Sequence, residues 1–192
     1  MPGSTPQHAV TAFLEPLRQA VSVLSGHSQI AAVRRGEYRK GQLYVWQLNG
    51  GRGMTWPGLG TFSASMGFEV VDADPAHHDV KPGDLRVTTR SYHYHFVDPT
   101  GAAKWRMHWH PDGCSHVVEP HIHRLPDIKA HWSTPRMSFE TAVRWCMTEG
   151  VPPSCADREA DDRLTNSEAA FKLYGSWQQT PTIRYGRPVP SS

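Results

Sequence analysis

The chain has 192 residues, of which 38% are hydrophobic, and it carries a formal net charge of +2 at pH 7. This length supports one hydrophobic core, so we expect a single domain over residues 1–180 and an extended tail over residues 181–192. The small net charge excludes a histone-like polycation, and three cysteines without disulfide or zinc-ribbon spacing indicate reduced thiols. Because we find neither a signal peptide nor a membrane-spanning apolar run, we expect a cytoplasmic protein that does not bind a membrane.

The first part of the chain predicts one helix followed by strands. Apolar residues recur at helical spacing over residues 6–25, and Gly26 is available as a stop, so we expect an amphipathic helix there. Two short strands are expected within residues 29–51 and a third within residues 61–73. We interpret the glycine-rich segment 49–60 as a flexible loop.

The rest of the chain predicts a hairpin followed by helices. The strongest β signal lies over residues 85–110 and is interrupted by the turn sequence DPTG at 98–101. Ser138 is placed to cap a first helix, and Asn166 or Ser167 to cap a second. The expected fold class is therefore α+β: an N-terminal helix, an antiparallel β-sheet with a central hairpin, and a helical C-terminal third.

The predicted hairpin has an aromatic face and a basic face. The basic face carries Ser91, His93, His95, Lys104, Arg106, His108 and His110. A register that pairs Val97 with Ala102 separates the faces in this way, and it places the arginine opposite His93. Imidazoles and cations without a carboxylate among them repel one another unless an anion or a metal lies there, so we interpret the basic face as a functional site.

A second histidine pair follows the hairpin in the segment EPHIHR at 119–124. Two histidines at i and i+2 of an extended segment point to the same side. Cleavage of RNA by its ribose 2′-hydroxyl needs a base, an acid and cations near the phosphate, and no cofactor. In this scheme the catalytic residues are His95, His121, His123 and Arg106. The residues that contact RNA are His93, Lys104, His108, His110 and Arg124.

Two other functions would use the same residues. A metal-dependent enzyme of cupin-like or other β-rich type would take its ligands from His108, His110, His121 and His123, since neutral imidazole is a common ligand of divalent metals. A non-enzymatic nucleic-acid-binding or assembly subunit would bind RNA without cleaving it. No HExxH or CxxC pattern is present, so the spacing selects neither a metal nor a ligand set.

The hairpin and the PHIH segment resemble the TumE-like toxins of bacterial toxin-antitoxin modules over about residues 85–136. The positions that match the family pattern are Tyr92, His95, Asp98, Gly101, Arg106, His110, Pro111, Pro120, His121 and His123. The chain departs from that pattern at 107–113, where it reads MHWHPDG and the family reads D-N-A-P-H-H, and at Ile122, where the family usually has a second consecutive histidine. The resemblance implies a small α+β fold, a ribonuclease-type activity, and two partners: RNA and a neutralising helix-turn-helix antitoxin.

Overall fold

The computed structural model describes residues 2–33, 36–74, 80–112 and 117–173. The expected tail over 181–192 lies outside the described residues. The helices are α1 (Pro6–Val21), α2 (Phe139–Thr148) and α3 (Asp157–Leu173). The strands are β1 (Ile30–Val33), β2 (Leu43–Leu48), β3 (Met54–Trp56), β4 (Gly60–Asp72), β5 (Leu85–Val97), β6 (Ala103–Trp109), β7 (His121–Arg124) and β8 (Asp127–Ser133). They form one antiparallel sheet in the order β1-β2-β4-β5-β6-β7-β8, with β3 paired to β4. The predicted α+β class is confirmed.

The sheet packs its aromatic face against the helices. The large side chains buried on this face include Phe62, Met66, Tyr92, Tyr94, Phe96, Trp105, Met107 and Trp109. Helix α1 contacts the sheet through Phe13 and Phe68, whose ring centroids are 5.3 Å apart, and α2 contacts it through Phe139 and Tyr94, at 5.7 Å. Helix α3 packs on α1, where Phe171 contacts Phe13. The described helices therefore share one side of the sheet, and none of them is long and apolar enough to cross a lipid bilayer.

The edges of the sheet bear on the cupin-like alternative. Strands β1 and β8 lie at the two ends of the sheet order, and within the described ranges they do not pair with each other. A cupin folds its strands into two packed sheets. The described strands instead form one open sheet, whose second face is available for a site.

The central hairpin has the predicted faces but a different register. Val97 pairs with Ala103, and further along the hairpin Arg106 pairs with His95 instead of the predicted His93. The predicted pairing of Val97 with Ala102 is therefore wrong. Gly101 has φ +86° and closes the turn with its N–H donating to the Asp98 carbonyl, so the loop holds an extra residue. Because side chains alternate with period two, a displacement of two residues leaves each side chain on its predicted face.

Two of the described strands, β3 and β8, are not predicted by the sequence analysis. Strand β3 lies within the predicted loop 49–60, because Gly53, at φ +72°, lets the chain return close to β4. A Cβ atom at Gly53 would lie 2.3 Å from the Phe62 carbonyl oxygen, which only glycine avoids. Strand β8 includes His131, in a segment for which the sequence analysis predicts no strand.

The helix boundaries are partly as predicted. Helix α2 begins as expected, with the Ser138 hydroxyl accepting a hydrogen bond from the Thr141 N–H. Helix α1 ends at Val21, before the predicted end of the apolar pattern, and the next residues turn towards the segment after α2, where the Ser25 N–H donates to the Pro152 carbonyl. Helix α3 begins at Asp157, so the predicted caps Asn166 and Ser167 are wrong and both lie inside it.

The buried Ser167 hydroxyl joins three helices instead of capping one. It lies 2.6 Å from Oε1 of Glu140 in α2 and 2.7 Å from the Pro16 carbonyl of α1. Burial raises the pKa of Glu140, which is fully buried. Because a buried carboxyl group that loses a hydrogen-bond partner is costly, we expect Ser167→Ala to lower the free energy of unfolding by about 1–3 kcal/mol in urea denaturation. Ser133→Ala, at an exposed serine of β8, is the matched control, and equal stability of the two variants would contradict this contact.

Candidate functional site

Seven histidines lie together on the open side of the sheet, away from the described helices. They are His93 and His95 of β5, His108 and His110 of β6 and its end, His121 and His123 of β7, and His131 of β8. We call this group the imidazole face. Three of the pairs have the spacing His-x-His, and alternation in a strand puts both members of such a pair on one side.

The pairing of β5, β6 and β7 arranges five of these histidines and Arg106 in two rows across the strands. The first row contains His93, His108 and His121. The second row contains His95, Arg106 and His123. The ring of His131 extends the face at β8, where its centroid lies 4.9 Å from that of His121 and 4.4 Å from that of His123.

His108 lies at the centre of the imidazole face. Its ring centroid is 5.1 Å from His93, 4.7 Å from His95, 5.5 Å from His121, 5.3 Å from His123 and 6.0 Å from His110. The Nε2 atoms of His95 and His108 are 2.5 Å apart, so one ring must donate and the other accept. Burial, reinforced by the neighbouring imidazoles, lowers the pKa of His95 to about 4 and that of His108 to about 2, so both rings are neutral at pH 7.

His121 and His123 are held in one orientation by the backbone. They are 1% and 7% exposed, although they lie on the open side of the sheet. Nδ1 of His121 donates to the Glu119 carbonyl at 2.8 Å, and Nδ1 of His123 donates to the Ile128 carbonyl at 3.1 Å. Burial lowers the pKa of both rings. In the neutral form each ring therefore keeps its proton on Nδ1 and leaves Nε2 free to accept a proton or to bind a metal.

The cations predicted for RNA binding have different environments. Arg106 lies between His95 and His123, and it forms no ion pair with any residue that the structure describes. Lys104 is engaged by Glu149 at the end of α2. Arg124 follows His123 on the other side of β7, with its guanidinium 5.8 Å from the centroid of the Trp132 ring. Arg106 is thus the predicted cation that stays within the imidazole face.

The imidazole face continues into a polar surface and a cleft. In β4, Ser63 and Ser65 pair with His95 and His93 and place hydroxyl groups beside them. The cleft lies beyond His110 and is lined by Gly41, Leu43, Glu69, Arg90, Ser91, His110, Pro111 and Asp112. An extended ligand on the imidazole face would therefore meet hydroxyl groups along one side and a cleft at the end.

The sheet brings together the predicted catalytic residues His95, Arg106, His121 and His123. It also brings together three of the residues predicted to contact RNA, which are His93, His108 and His110. Sequence reasoning missed His131 as a member of this group. A sequence signal could have identified β8 and the side on which His131 lies: Asp127, Lys129, His131 and Ser133 alternate with Ile128, Ala130 and Trp132.

In comparisons with known proteins, no family model, curated protein or solved structure matches this chain, so its function has to be inferred from the imidazole face.

Proposed function

We propose that the protein is a toxin-like enzyme that cleaves RNA in the cytoplasm and that the imidazole face is its active surface. The observation that carries this proposal is the position of Arg106 between His95 and His123. A guanidinium group without a carboxylate partner among the described residues is ready to bind an anion, and its two parallel N–H groups match the oxygens of a phosphate.

The two imidazoles beside Arg106 suit the geometry of an in-line displacement. In RNA cleavage the 2′-oxygen forms a bond to phosphorus while the bond to the 5′-oxygen breaks on the opposite side. One neutral imidazole takes the proton of the 2′-hydroxyl, and another, protonated when the phosphate anion binds beside it, gives that proton to the leaving 5′-oxygen. His95 on β5 and His123 on β7 lie on opposite sides of Arg106, with His121 next to His123. Arg106 would stabilise the charge that grows on the phosphorane oxygens.

The surroundings of these residues suit a single-stranded nucleic acid. The imidazole face is on the side of the sheet that the described helices leave open, and a long substrate would approach it at the partly exposed His95 and Arg106. The hydroxyl groups of Ser63 and Ser65 can donate to phosphate or to ribose oxygens. The cleft beyond His110 offers the Arg90 guanidinium, 3.6 Å from the Glu69 carboxylate, as a further polar contact.

The proposal includes a helix-turn-helix antitoxin as the neutralising partner, as the resemblance implies. Two apolar residues of β2 lie near the imidazole face, Leu43 at 61% and Val45 at 36% exposure, and Leu43 lines the cleft together with His110. A protein that packs on these residues would also cover the imidazole face. Loss of RNA cleavage on addition of the protein encoded next to this gene tests the partnership.

The activity is tested by incubating purified protein with end-labelled RNA and with the same RNA carrying 2′-O-methyl groups. We expect cleavage of the unmodified RNA alone, leaving a 2′,3′-cyclic phosphate, because the methylated oxygen cannot attack. Arg106→Ala should reduce the rate by about 10²–10³-fold, the usual effect of removing one group that stabilises transition-state charge. Arg106→Lys keeps the charge but loses the paired N–H groups, so its rate should lie between the two.

Arg163→Ala is the matched control, because Arg163 lies on the exposed surface of α3 and pairs with Glu159. It should cleave RNA as fast as the unchanged protein. Cleavage of the methylated RNA, or equal rates in Arg106→Ala and Arg163→Ala, would contradict the proposal. Salt-sensitive binding without cleavage would instead identify a nucleic-acid-binding protein.

A further inference from the structure

We infer that His121, His123 and His131 form a binding site for one divalent transition-metal ion of the zinc class. The ligand nitrogens of these three residues lie within 4.8 Å of one another. Their ring centroids are 5.1, 4.9 and 4.4 Å apart, which makes them the most compact of the three histidine trios on the imidazole face. The site deepens the proposed function, on whose face it lies, but the binding of the ion can be measured without RNA.

The distances suit tetrahedral coordination. A zinc ion binds imidazole nitrogen at about 2.0–2.1 Å, so two nitrogens of one tetrahedron lie about 3.4 Å apart. His121 and His123 are buried on neighbouring positions of β7, whereas His131 is exposed on the edge strand β8. Binding an ion therefore draws together three nitrogens that lie within 4.8 Å of one another, and the exposure of His131 gives the ion a path from solvent.

The backbone prepares two of the three ligands. Nδ1 of His121 and Nδ1 of His123 each donate to a carbonyl group, of Glu119 and Ile128 respectively. In metal sites a histidine ligand usually donates its second N–H to a carbonyl or a carboxylate, which fixes the ring and directs the other nitrogen at the ion. Both rings already make this hydrogen bond, which leaves Nε2 of each as the nitrogen for the ion.

The donor set selects the class of ion. All three donors are imidazole nitrogens, and the three trios of potential ligands among the described residues contain no carboxylate. Mg²⁺ and Ca²⁺ prefer oxygen donors, whereas Zn²⁺, Co²⁺, Ni²⁺ and Cu²⁺ bind imidazole well. Three protein ligands leave a fourth position for water or substrate, as in catalytic zinc sites.

The position of the trio connects the ion to the proposed RNA cleavage. His123 also belongs to the row that contains Arg106, so an ion held there lies beside the place where we expect the phosphate. With the ion bound, His121 and His123 would act as ligands, so His95 would keep one proton transfer and a water molecule at the open fourth position would take over the other. An ion in this place would act as a Lewis acid on a phosphate oxygen.

The test uses the whole chain, first freed of metal with a chelator and then titrated with Co²⁺, followed by displacement with Zn²⁺. We expect one equivalent of Co²⁺ to produce the strong visible absorption of a tetrahedral site and Zn²⁺ to abolish it. His131→Ala should weaken binding by at least about 100-fold, since even the loss of an outer hydrogen-bond partner costs 10–100-fold. Because His131 is exposed, this variant should keep the far-ultraviolet circular dichroism of the unchanged protein.

Two further variants make the result specific. His27→Ala removes an exposed histidine outside the imidazole face and should bind Co²⁺ normally. His110→Ala removes a member of a neighbouring trio and should also bind normally. Absence of stoichiometric binding, or binding that is lost in His110→Ala and kept in His131→Ala, would overturn the assignment. RNA cleavage measured on the same samples judges only the proposed function, so the two can fail separately.

Discussion

Replacing both His121 and His123 by asparagine is expected to lower the rate of RNA cleavage by at least about 10³-fold while the sheet stays folded. Loss of an acid-base group typically costs 10²–10⁴-fold, and the same two nitrogens are ligands of the proposed ion, so both mechanisms predict a large effect. The asparagine side-chain N–H can replace Nδ1–H and keep the hydrogen bonds to the Glu119 and Ile128 carbonyls. It offers no counterpart of Nε2.

The measurement combines initial rates on end-labelled RNA with urea denaturation of the same samples. The pair His121→Ala/His123→Ala should be equally inactive but less stable, because it also leaves the two carbonyl groups without donors. His8→Asn/His27→Asn changes two exposed histidines outside the imidazole face and serves as the control for histidine loss as such. An asparagine variant that is folded and fully active would show that the reaction does not occur at β7.

The metal-free protein is expected to lose stability when the pH falls from 6.5 to 5. Burial, with the repulsion of neighbouring imidazoles and Arg106, lowers the pKa of His95 to about 4 in the folded protein, against an ordinary value of 6.5. Below pH 6.5 the unfolded chain therefore binds a proton that the folded chain does not, and protonation favours unfolding. The contribution of the neutral His95 to the free energy of unfolding is fully present above pH 6.5 and declines as the pH falls towards 4.

Protonation linked to His95 alone should lower the free energy of unfolding by about 1.6 kcal/mol between pH 6.5 and 5, because one unit of pKa difference corresponds to about 1.4 kcal/mol and the unfolded histidine is already half protonated at pH 6.5. The pKa values of His93, His108, His121 and His123 are lowered as well, so they change stability in the same direction. Urea denaturation in EDTA at pH 7.5, 6.5, 5.75 and 5 measures the slope in a range where most carboxylates stay ionised. His95→Asn should flatten the slope, His27→Asn should not, and a free energy of unfolding that is constant over this range would contradict the burial of neutral imidazoles.

Local signals in the sequence were sufficient for the fold class and for several elements. The α+β class is confirmed, as are the amphipathic nature of α1, the Ser138 cap of α2 and the two faces of the hairpin. Each of these depends on neighbours within a few residues: a cap bonds to a residue three positions on, and strand alternation has a period of two. Such signals are present in the chain whatever the rest of the molecule does.

The failed predictions depend on contacts between distant residues. Strand β3 depends on the close approach of Gly53 to Phe62, and the position of Ser167 depends on a buried contact with Glu140. No local periodicity carries this information, because the partner in each case is brought near by the chain path and not by sequence spacing. Helix α3 shows the same effect, since its polar first half gives little amphipathic signal.

The sequence by itself determined that histidines would crowd one side of the hairpin and of the PHIH segment. Only the tertiary structure decided which of them meet. The order β5-β6-β7-β8 places Arg106 between His95 and His123, and it brings His131, from the edge strand, against His121. Strand order and register are set by which hydrophobic faces the whole chain can bury together, so the make-up of the imidazole face could be read only after folding.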